Sequence, residues 1–263
     1  AGGRAVCVIP ARLGSQRFPA KLLKDLHGQS VLQRTYGRAK MARVCKEIVI
    51  ATESEEIMKH VSTFGATALK TSPHWKSGTE RVYEAWRLLA LQGKAHDLEW
   101  IINVQGDEPL LNPAHVDSLA QLLQQDKSRR MGTLSTPLSR EDAHNPGIVK
   151  VVVDQFRRAL YFSRSSIPGN KPPPAVSPSG PSPFQRHLGL YGFRTEFLET
   201  FISLPSNDLF LHEDLEQLKV VGAGFAIAIA QVQNATAPDV NTEADLEILR
   251  KLVAADVQKK EEL

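Results

Sequence analysis

Cysteine is scarce in this chain: Cys7 and Cys45 are the two among 263 residues. They stand in separate apolar contexts and form no Cys-x-x-Cys pair. That spacing argues against both a disulfide framework and a thiolate zinc site, and favours a reducing compartment. Long apolar runs are missing too. The longest, Val220 to Ala230, has 11 residues and two glycines, too short and broken to cross a bilayer, so no membrane insertion is expected. Neither sign of charge dominates, with 32 Lys+Arg against 29 Asp+Glu and a net charge of +3. A balance so close to neutral is a weak footprint for nucleic acid, and no nucleic-acid partner is expected. The first five residues lack the charged-then-apolar pattern of a secretory signal. A cytoplasmic location follows as the expectation, with an organelle and a removed leader as the alternative because residue 1 is not Met. Asn234-Ala235-Thr236 matches a glycosylation triplet, which without secretion is a chance match.

What is present suits an ordinary globular chain, at 42% hydrophobic and 23% charged residues. The length fits one large domain, residues 1–263, that buries roughly three quarters of its unfolded surface without staples. Strand and helix periods alternate from the start. Ala5 to Ile9 predicts a buried parallel strand ending at Pro10, and a helix begins near Ser30 with Val31, Leu32, Tyr36 and Ala39 on one face. Glu47 to Thr52, Ala66 to Leu69 and Trp100 to Val104 predict further strands. Helices are predicted at Ser54 to Phe64, Thr79 to Leu91 and Pro113 to Gln125. This rhythm predicts a Rossmann-like α/β fold with right-handed crossovers. Between about 130 and 195 strand-like segments cluster instead, at Met131 to Pro137, Ile148 to Val153, Ala159 to Phe162 and Leu188 to Phe193. They predict a small antiparallel extension for substrate contacts or a subunit interface. Gly169 to Pro183, with six Pro in 15 residues, reads as an exposed loop. Phe225 to Val232 reads as a late strand, and Thr242 onward as a closing helix with Leu246, Leu249 and Leu252 inward.

Two segments carry chemistry-bearing residues. Ile9-Pro10-Ala11-Arg12-Leu13-Gly14-Ser15-Gln16-Arg17-Phe18-Pro19-Ala20-Lys21 follows the first strand with three cations in ten residues. Backbone N–H groups and cations in such a loop cradle phosphates; a solvated basic loop is the plain alternative. Neither GxGxxG nor GxxxxGK[ST] is present, so no dinucleotide or Walker site is supported. Asn103-Val104-Gln105-Gly106-Asp107-Glu108-Pro109 puts a carboxylate just past a buried strand, where α/β enzymes place ligands and where Asp suits Mg²⁺. The alternative there is a turn capped by Asp107.

These two segments, with SGTER at Ser77 to Arg81, ALYFSR at Ala159 to Arg164, RHLGLYGFR at Arg186 to Arg194 and EDLEQL at Glu213 to Leu218, occur in an order that closely resembles the 3-deoxy-manno-octulosonate (Kdo) cytidylyltransferases, the CMP-Kdo synthetases. The resemblance spans residues 5 to 250. It implies transfer of CMP from CTP to the anomeric hydroxyl of Kdo with release of pyrophosphate, serving lipopolysaccharide or related glycan synthesis. It also implies a nucleotide-diphospho-sugar transferase fold, a mixed sheet between helices, and a homodimer. Arg12, Ser15, Arg17 and Lys21 match the triphosphate loop, and Ser77, Gly78 and Thr79 the cytosine-side segment. Arg12, Lys21 and Asp107 are the expected catalytic residues, with Asp107 the Mg²⁺ ligand. Gln105, Arg164, His187, Tyr191, Glu213 and Gln217 match positions that line the acidic-sugar pocket. On residue spacing alone, His187 and Tyr191 are equally core residues of one strand face, and Glu213 and Gln217 an exposed helix pair.

The chain departs from that family at three places. A second metal carboxylate is replaced by Asn241, a neutral amide, with Asp239 two residues away as a possible substitute ligand. Trp75 and Lys76 stand where more polar residues are usual. Asn241 motivates one alternative, a catalytically impaired protein that still binds CTP or sugar. A CMP-sialic acid-type synthetase is the other, and the HLGLYG and EDLEQL segments speak against it.

Overall fold

The computed structural model describes residues 5–14, 18–169, 182–233 and 238–261. Its backbone gathers into two compact units, residues 1–117 with 236–263, and residues 118–235. Among the described residues no helix is long and apolar enough to cross a membrane. The Pro-rich segment, apart from residue 169 and residues 182 and 183, and the whole of the glycosylation triplet lie outside them.

The first unit is a parallel β/α layer. Strand β1 (Ala5–Pro10) is followed by helix α1 (Val31–Lys40), β2 (Cys45–Thr52), α2 (Glu55–Thr63), β3 (Thr67–Lys70), α3 (Gly78–Leu91) and β4 (Trp100–Asn103). The strands lie in the order β3-β2-β1-β4, all parallel, with Val8 opposite Val49 on one side and Asn103 on the other. Strand β1 has paired neighbours on both edges, and its first five residues are fully buried. Its sequence is therefore an unbroken apolar run rather than an alternating one. Each helix starts on a side-chain cap. Ser30 accepts from the Gln33 amide, Ser54 from Ile57, and Ser77 forms a reciprocal capping box with Glu80.

The capped helix α4 (Pro113–Gln124) leads into the second unit. There β5 (Met131–Pro137), β6 (Lys150–Val153), β7 (Ala159–Ser163) and β8 (Gln185–Arg194) are followed by three helices, α5 (Thr195–Ser203), α6 (Asp208–Glu213) and α7 (Leu218–Gly222), and by β9 (Ala228–Gln231). β5 pairs antiparallel with β8 and parallel with β9, and β6 with β7 forms an antiparallel hairpin. The mixed α/β architecture matches the sequence expectation. Gly132 of β5 is required by packing, since a Cβ there would sit 3.1 Å from both Leu122 and Leu123.

Helix α8 (Glu243–Glu261) returns to the first unit. Thr242 and Asp245 cap it reciprocally: the Asp245 carboxylate accepts from the Thr242 amide at 2.8 Å, and the Asp245 amide donates to the Thr242 hydroxyl at 3.2 Å.

Four sequence readings change. Cys7 and Cys45 are joined as a disulfide, although far apart in sequence, because parallel pairing of β1 with β2 sets Cys45 opposite Ala5, two residues from Cys7 on the same strand. On α1 the buried stripe runs through Thr35 rather than Tyr36. On α8 Leu252 is 43% exposed and Val253 takes the inward place. A strict three-residue step drifts off the buried stripe, whereas 246, 249 and 253 keep to the helical period. Finally, Glu213 and Gln217 share no helix: α6 ends at Glu213, Asp214 is left-handed with φ 52°, and Gln217 precedes α7.

Leu249→Ala should lower unfolding free energy by about 2–5 kcal/mol, and Leu252→Ser should change it by less than about 0.5 kcal/mol. Denaturant titration of both variants checks the inward face; equal costs would overturn it.

Candidate functional site

In a parallel sheet the crossovers leave β1 and β4 to opposite sides of the strand order, so a crevice opens at their carboxyl ends. In the first unit that crevice is a cleft of about 180 Å³ lined by Pro10, Ala11, Arg12, Lys21, Leu22, Ser77, Gly78, Arg81, Gln105, Gly106 and Asp107. The end of the first strand, the SGTER turn and the NVQGDEP turn thus border one space. The strand ends approach closely: a Cβ on Gly106 would lie 3.0 Å from the Pro10 carbonyl oxygen, and one on Gly78 would lie 3.3 Å from Pro10 Cγ. Space is therefore tight at both glycines, most of all at 106, where the neighbour is backbone.

Lys21 is the electrostatic centre of the cleft. Its ammonium donates to Asp107 Oδ2 at 2.5 Å, to the Val240 carbonyl at 2.7 Å and to Asn241 Oδ1 at 3.2 Å. The Val240 amide in turn donates to the Asp107 carbonyl at 3.0 Å, which ties the start of the α8 segment to the Asp107 turn. Three oxygens of carboxylate, amide and carbonyl type converge on one positive charge. That donor chemistry is what hard divalent cations select. Asp107 and Asn241 fit a Mg²⁺ ion in kind, although among the described residues no group of three or more His, Cys, Asp or Glu forms a metal cluster. Asp239 is half-buried two residues before Asn241.

Arg12 is held from outside the loop, donating to the Lys76 carbonyl at 3.2 Å. That carbonyl belongs to a segment anchored by Glu84. The Glu84 carboxylate accepts from the Ser72 amide and from the Trp75 indole N–H, both at 2.6 Å. Trp75 is thus a donor in a turn that supports Arg12, a role no reading of residue type suggested. Arg81 lies beneath, nearly buried and paired with Glu53 at 2.7 Å, with Thr71 Oγ1 at 2.6 Å. Burial pulls its guanidinium below the usual arginine value, Glu53 opposes that, and the Arg12 charge adds to the lowering. Ser77 and Glu80 spend their side chains on the capping box, with Glu80 Oε2 also accepting from the Lys76 amide at 3.0 Å. Thr79 is buried and accepts from Asn103 at 3.5 Å. What this segment offers the cleft is the amino end of a 14-residue helix, a favourable place for negative charge. Ser15 and Arg17 lie outside the described residues.

The expected sugar residues, apart from Gln105, belong to the second unit. Gln105, partly buried, lines the cleft just described. His187 and Tyr191 face each other along β8 with ring centroids 5.4 Å apart, and Phe162 meets His187 edge-on at 4.9 Å. Four residues apart, they share one face by strand alternation, and β8 carries an irregularity between Leu188 and Tyr191, opposite Leu134 and Thr133. His187 Nε2 and Thr133 Oγ1 are hydrogen-bonded at 3.0 Å. Burial chiefly, with help from Arg186, holds the His187 pKa down at about 3. Burial and then Glu216 push the Tyr191 phenol up. Both groups are neutral at pH 7. Arg164 and Glu213 form one unit: the Glu213 carboxylate accepts from Ser163 Oγ at 2.5 Å and from the Arg164 amide at 2.9 Å, and Arg164 Nε donates to the Glu213 carbonyl at 3.0 Å. Gln217 is buried, and its Nε2 has no hydrogen-bond partner among the described residues. A buried amide donor without a partner is costly, and a polar ligand is one way to satisfy it.

The neutral His187 makes stability depend on pH. The unfolded imidazole titrates near 6.5 and the folded one near 3. Between those values the unfolded state binds the extra proton, so stability is complete above the upper value and falls as pH drops, by up to roughly 1.4 kcal/mol per pH unit from this one group. Urea midpoints from pH 7 to pH 4 should fall less steeply in His187→Asn than in the unaltered protein. Parallel curves would mean that another group carries the slope.

Comparison with known proteins agrees with the geometry. The sequence model of the cytidylyltransferase family matches residues 6–229. The 3-deoxy-manno-octulosonate cytidylyltransferase of Koribacter versatilis is 38% identical, covering 95% of this chain and 90% of its own. That of Cellvibrio japonicus is 42% identical over 94% of this chain and 96% of its own. A solved CMP:2-keto-3-deoxy-manno-octonic acid synthetase complexed with CTP superposes with a TM-score of 0.86 at 36% identity, covering 96% of this chain and 99% of that one. Matches of this extent leave one conclusion: the chain belongs to the cytidylyltransferase family, within the 3-deoxy-manno-octulosonate cytidylyltransferases.

Proposed function

We propose that this protein transfers CMP from CTP to the anomeric hydroxyl of Kdo and releases pyrophosphate. The observation that carries the reading is the convergence of Arg12, Lys21 and Asp107 on one cleft at the carboxyl ends of β1 and β4, in a chain whose relatives bear the name of that reaction. We assign the nucleotide to the first unit, with its triphosphate against the Arg12–Lys21 loop and the amino end of α3. Within the second unit, Arg164, His187, Tyr191, Glu213 and Gln217 are the set we assign to the acidic sugar. A carboxylate with several hydroxyls calls for a cation beside mixed donors and acceptors, which that set supplies.

In this reading the anomeric oxygen displaces pyrophosphate in line at the α-phosphorus, and the protein works mainly by positioning and charge neutralisation. Lys21 exchanges its carboxylate partner for the departing phosphates, and Arg12 offsets the charge that grows on them. Asp107, with Asn241, would hold Mg²⁺. When bound, the ion supplies charge neutralisation for the triphosphate and polarisation of the sugar hydroxyl. His187, neutral at working pH, serves as a hydrogen-bonding group rather than a charge. A homodimer, a cytoplasmic setting and a place in lipopolysaccharide-type glycan synthesis follow from the same family likeness as part of the proposal.

Mixing CTP, Kdo and Mg²⁺ with the folded protein should release pyrophosphate, and no release at high enzyme concentration would reject the reading. Sialic acid offered in competition should yield little product. Asp107→Ala should lower turnover on the order of 10²–10³-fold, the scale for removing one transition-state charge partner. Asn241→Asp separates an adapted amide from an impaired site. Turnover should stay level or fall, whereas a large gain would show that the amide limits the enzyme.

A further inference from the structure

Lys150 takes no part in the reaction described above, yet it is the most demanding side chain of the second unit. It opens β6, fully buried, with only valines after it in the strand. An ammonium withdrawn from water costs several kcal/mol unless its protons are all bonded. Here Nζ donates to three backbone carbonyls, those of Asn145 at 2.9 Å, Ile148 at 2.6 Å and Arg164 at 2.5 Å. Burial draws its pKa below the ordinary lysine value, and the Glu213 carboxylate works against that.

The three carbonyls belong to the two segments that decide where the Arg164 side chain projects. Glu213 binds the amide of Arg164, and Lys150 binds its carbonyl, so the backbone of this residue is pinned from both sides. The guanidinium is steadied in turn by the Glu213 carbonyl through Nε at 3.0 Å and by the Pro146 carbonyl at 3.5 Å through Nη1. Pro146 lies within the turn whose Asn145 and Ile148 carbonyls Lys150 also gathers. An apolar residue would fill this strand position at lower desolvation cost, but it would take this donor from the Ile148 and Arg164 carbonyls and leave the Asn145 carbonyl with the Ile148 amide alone, at 3.1 Å.

We propose that Lys150 is a positioning residue for the acidic sugar, acting through Arg164 by fixing both its backbone and the turn on which its guanidinium rests. The proposal rests on the reading of Arg164 as a cation for the sugar carboxylate.

Lys150→Met tests it, because methionine keeps much of the length and volume and donates nothing. With folding checked by circular dichroism, KM for Kdo should rise about tenfold or more, on the scale of a small misplacement of a binding group, while KM for CTP stays within about twofold. In an Arg164→Ala background the same substitution should add little, since the two act as one unit. If Lys150→Met does not fold, Lys150→Gln, which keeps one donor group, is measured in its place. Failure of both to fold assigns the residue to stability alone and overturns the proposal, as do equal rises in the two KM values or none. An Arg164→Ala variant with an unchanged KM for Kdo would instead sink the sugar-site reading itself. If Arg164→Ala raises that KM and the Lys150 variant does not, only the positioning role is lost.

Discussion

The first unit of this protein depends on a topological constraint that ends in one ion pair. Right-handed crossovers carry the chain from β1 outward to β3 and then back past β1 to β4, so two strand ends remain side by side with no helix between them. Gly106 lets the turn after β4 pass close to the first strand's end, since a Cβ there would stand 3.0 Å from the Pro10 carbonyl oxygen. The Asp107 carboxylate puts a negative charge there, and Lys21 offsets it at 2.5 Å. The amino end of α3, the Arg12 guanidinium and the buried Arg81–Glu53 pair surround this point. The strands provide the rigidity, and the loops provide the charge.

In the second unit the recurring feature is the full use of buried polar groups. Lys150 donates three hydrogen bonds to carbonyls, Glu213 accepts from two neighbours, and Thr133 shares its hydroxyl with His187 and with the Leu188 and Leu190 carbonyls. A network satisfied in this way specifies one arrangement, because any other leaves a desolvated group unpaired. Such groups hold Arg164 and His187 in place. The Gln217 amide nitrogen is left over, and a buried donor without a partner is where an incoming hydroxyl or carboxylate would gain most.

The three departures from the family pattern have different structural meanings. Trp75 is tied by its indole N–H to Glu84 and so serves the same turn as the backbone of Lys76, which receives Arg12. Lys76 contributes through its peptide group, so its side chain is free to vary. Asn241 keeps an oxygen aimed at the position of the Lys21 ammonium, alongside the Val240 carbonyl that any residue would supply. The change there removes charge and preserves a donor.

Much of this was legible beforehand. Unbroken apolar runs marked β1 and β4, since strands covered on both faces have no polar alternation to show. Ser30, Ser54 and Ser77 marked helix starts because a short hydroxyl side chain is the natural partner for free amides. Arg12, Lys21 and Asp107 were singled out by the family resemblance, since a basic loop and an acidic turn beyond buried strands have plain structural uses as well. Lys150 left a faint trace, a lone cation within an apolar run, although nothing near it in sequence names its partners. The pairing of Cys7 with Cys45, the Val240 carbonyl on Lys21, the Glu84 anchor and the division of Glu213 and Gln217 between two helices had no local signature. Local sequence determined which segments are strands and helices and where charge is available, because propensity, capping and periodicity act over a few residues. Tertiary structure alone decided which groups meet. Contacts such as Lys21 with Asn241 join residues more than two hundred positions apart, and only the packed sheet brings them within hydrogen-bonding reach.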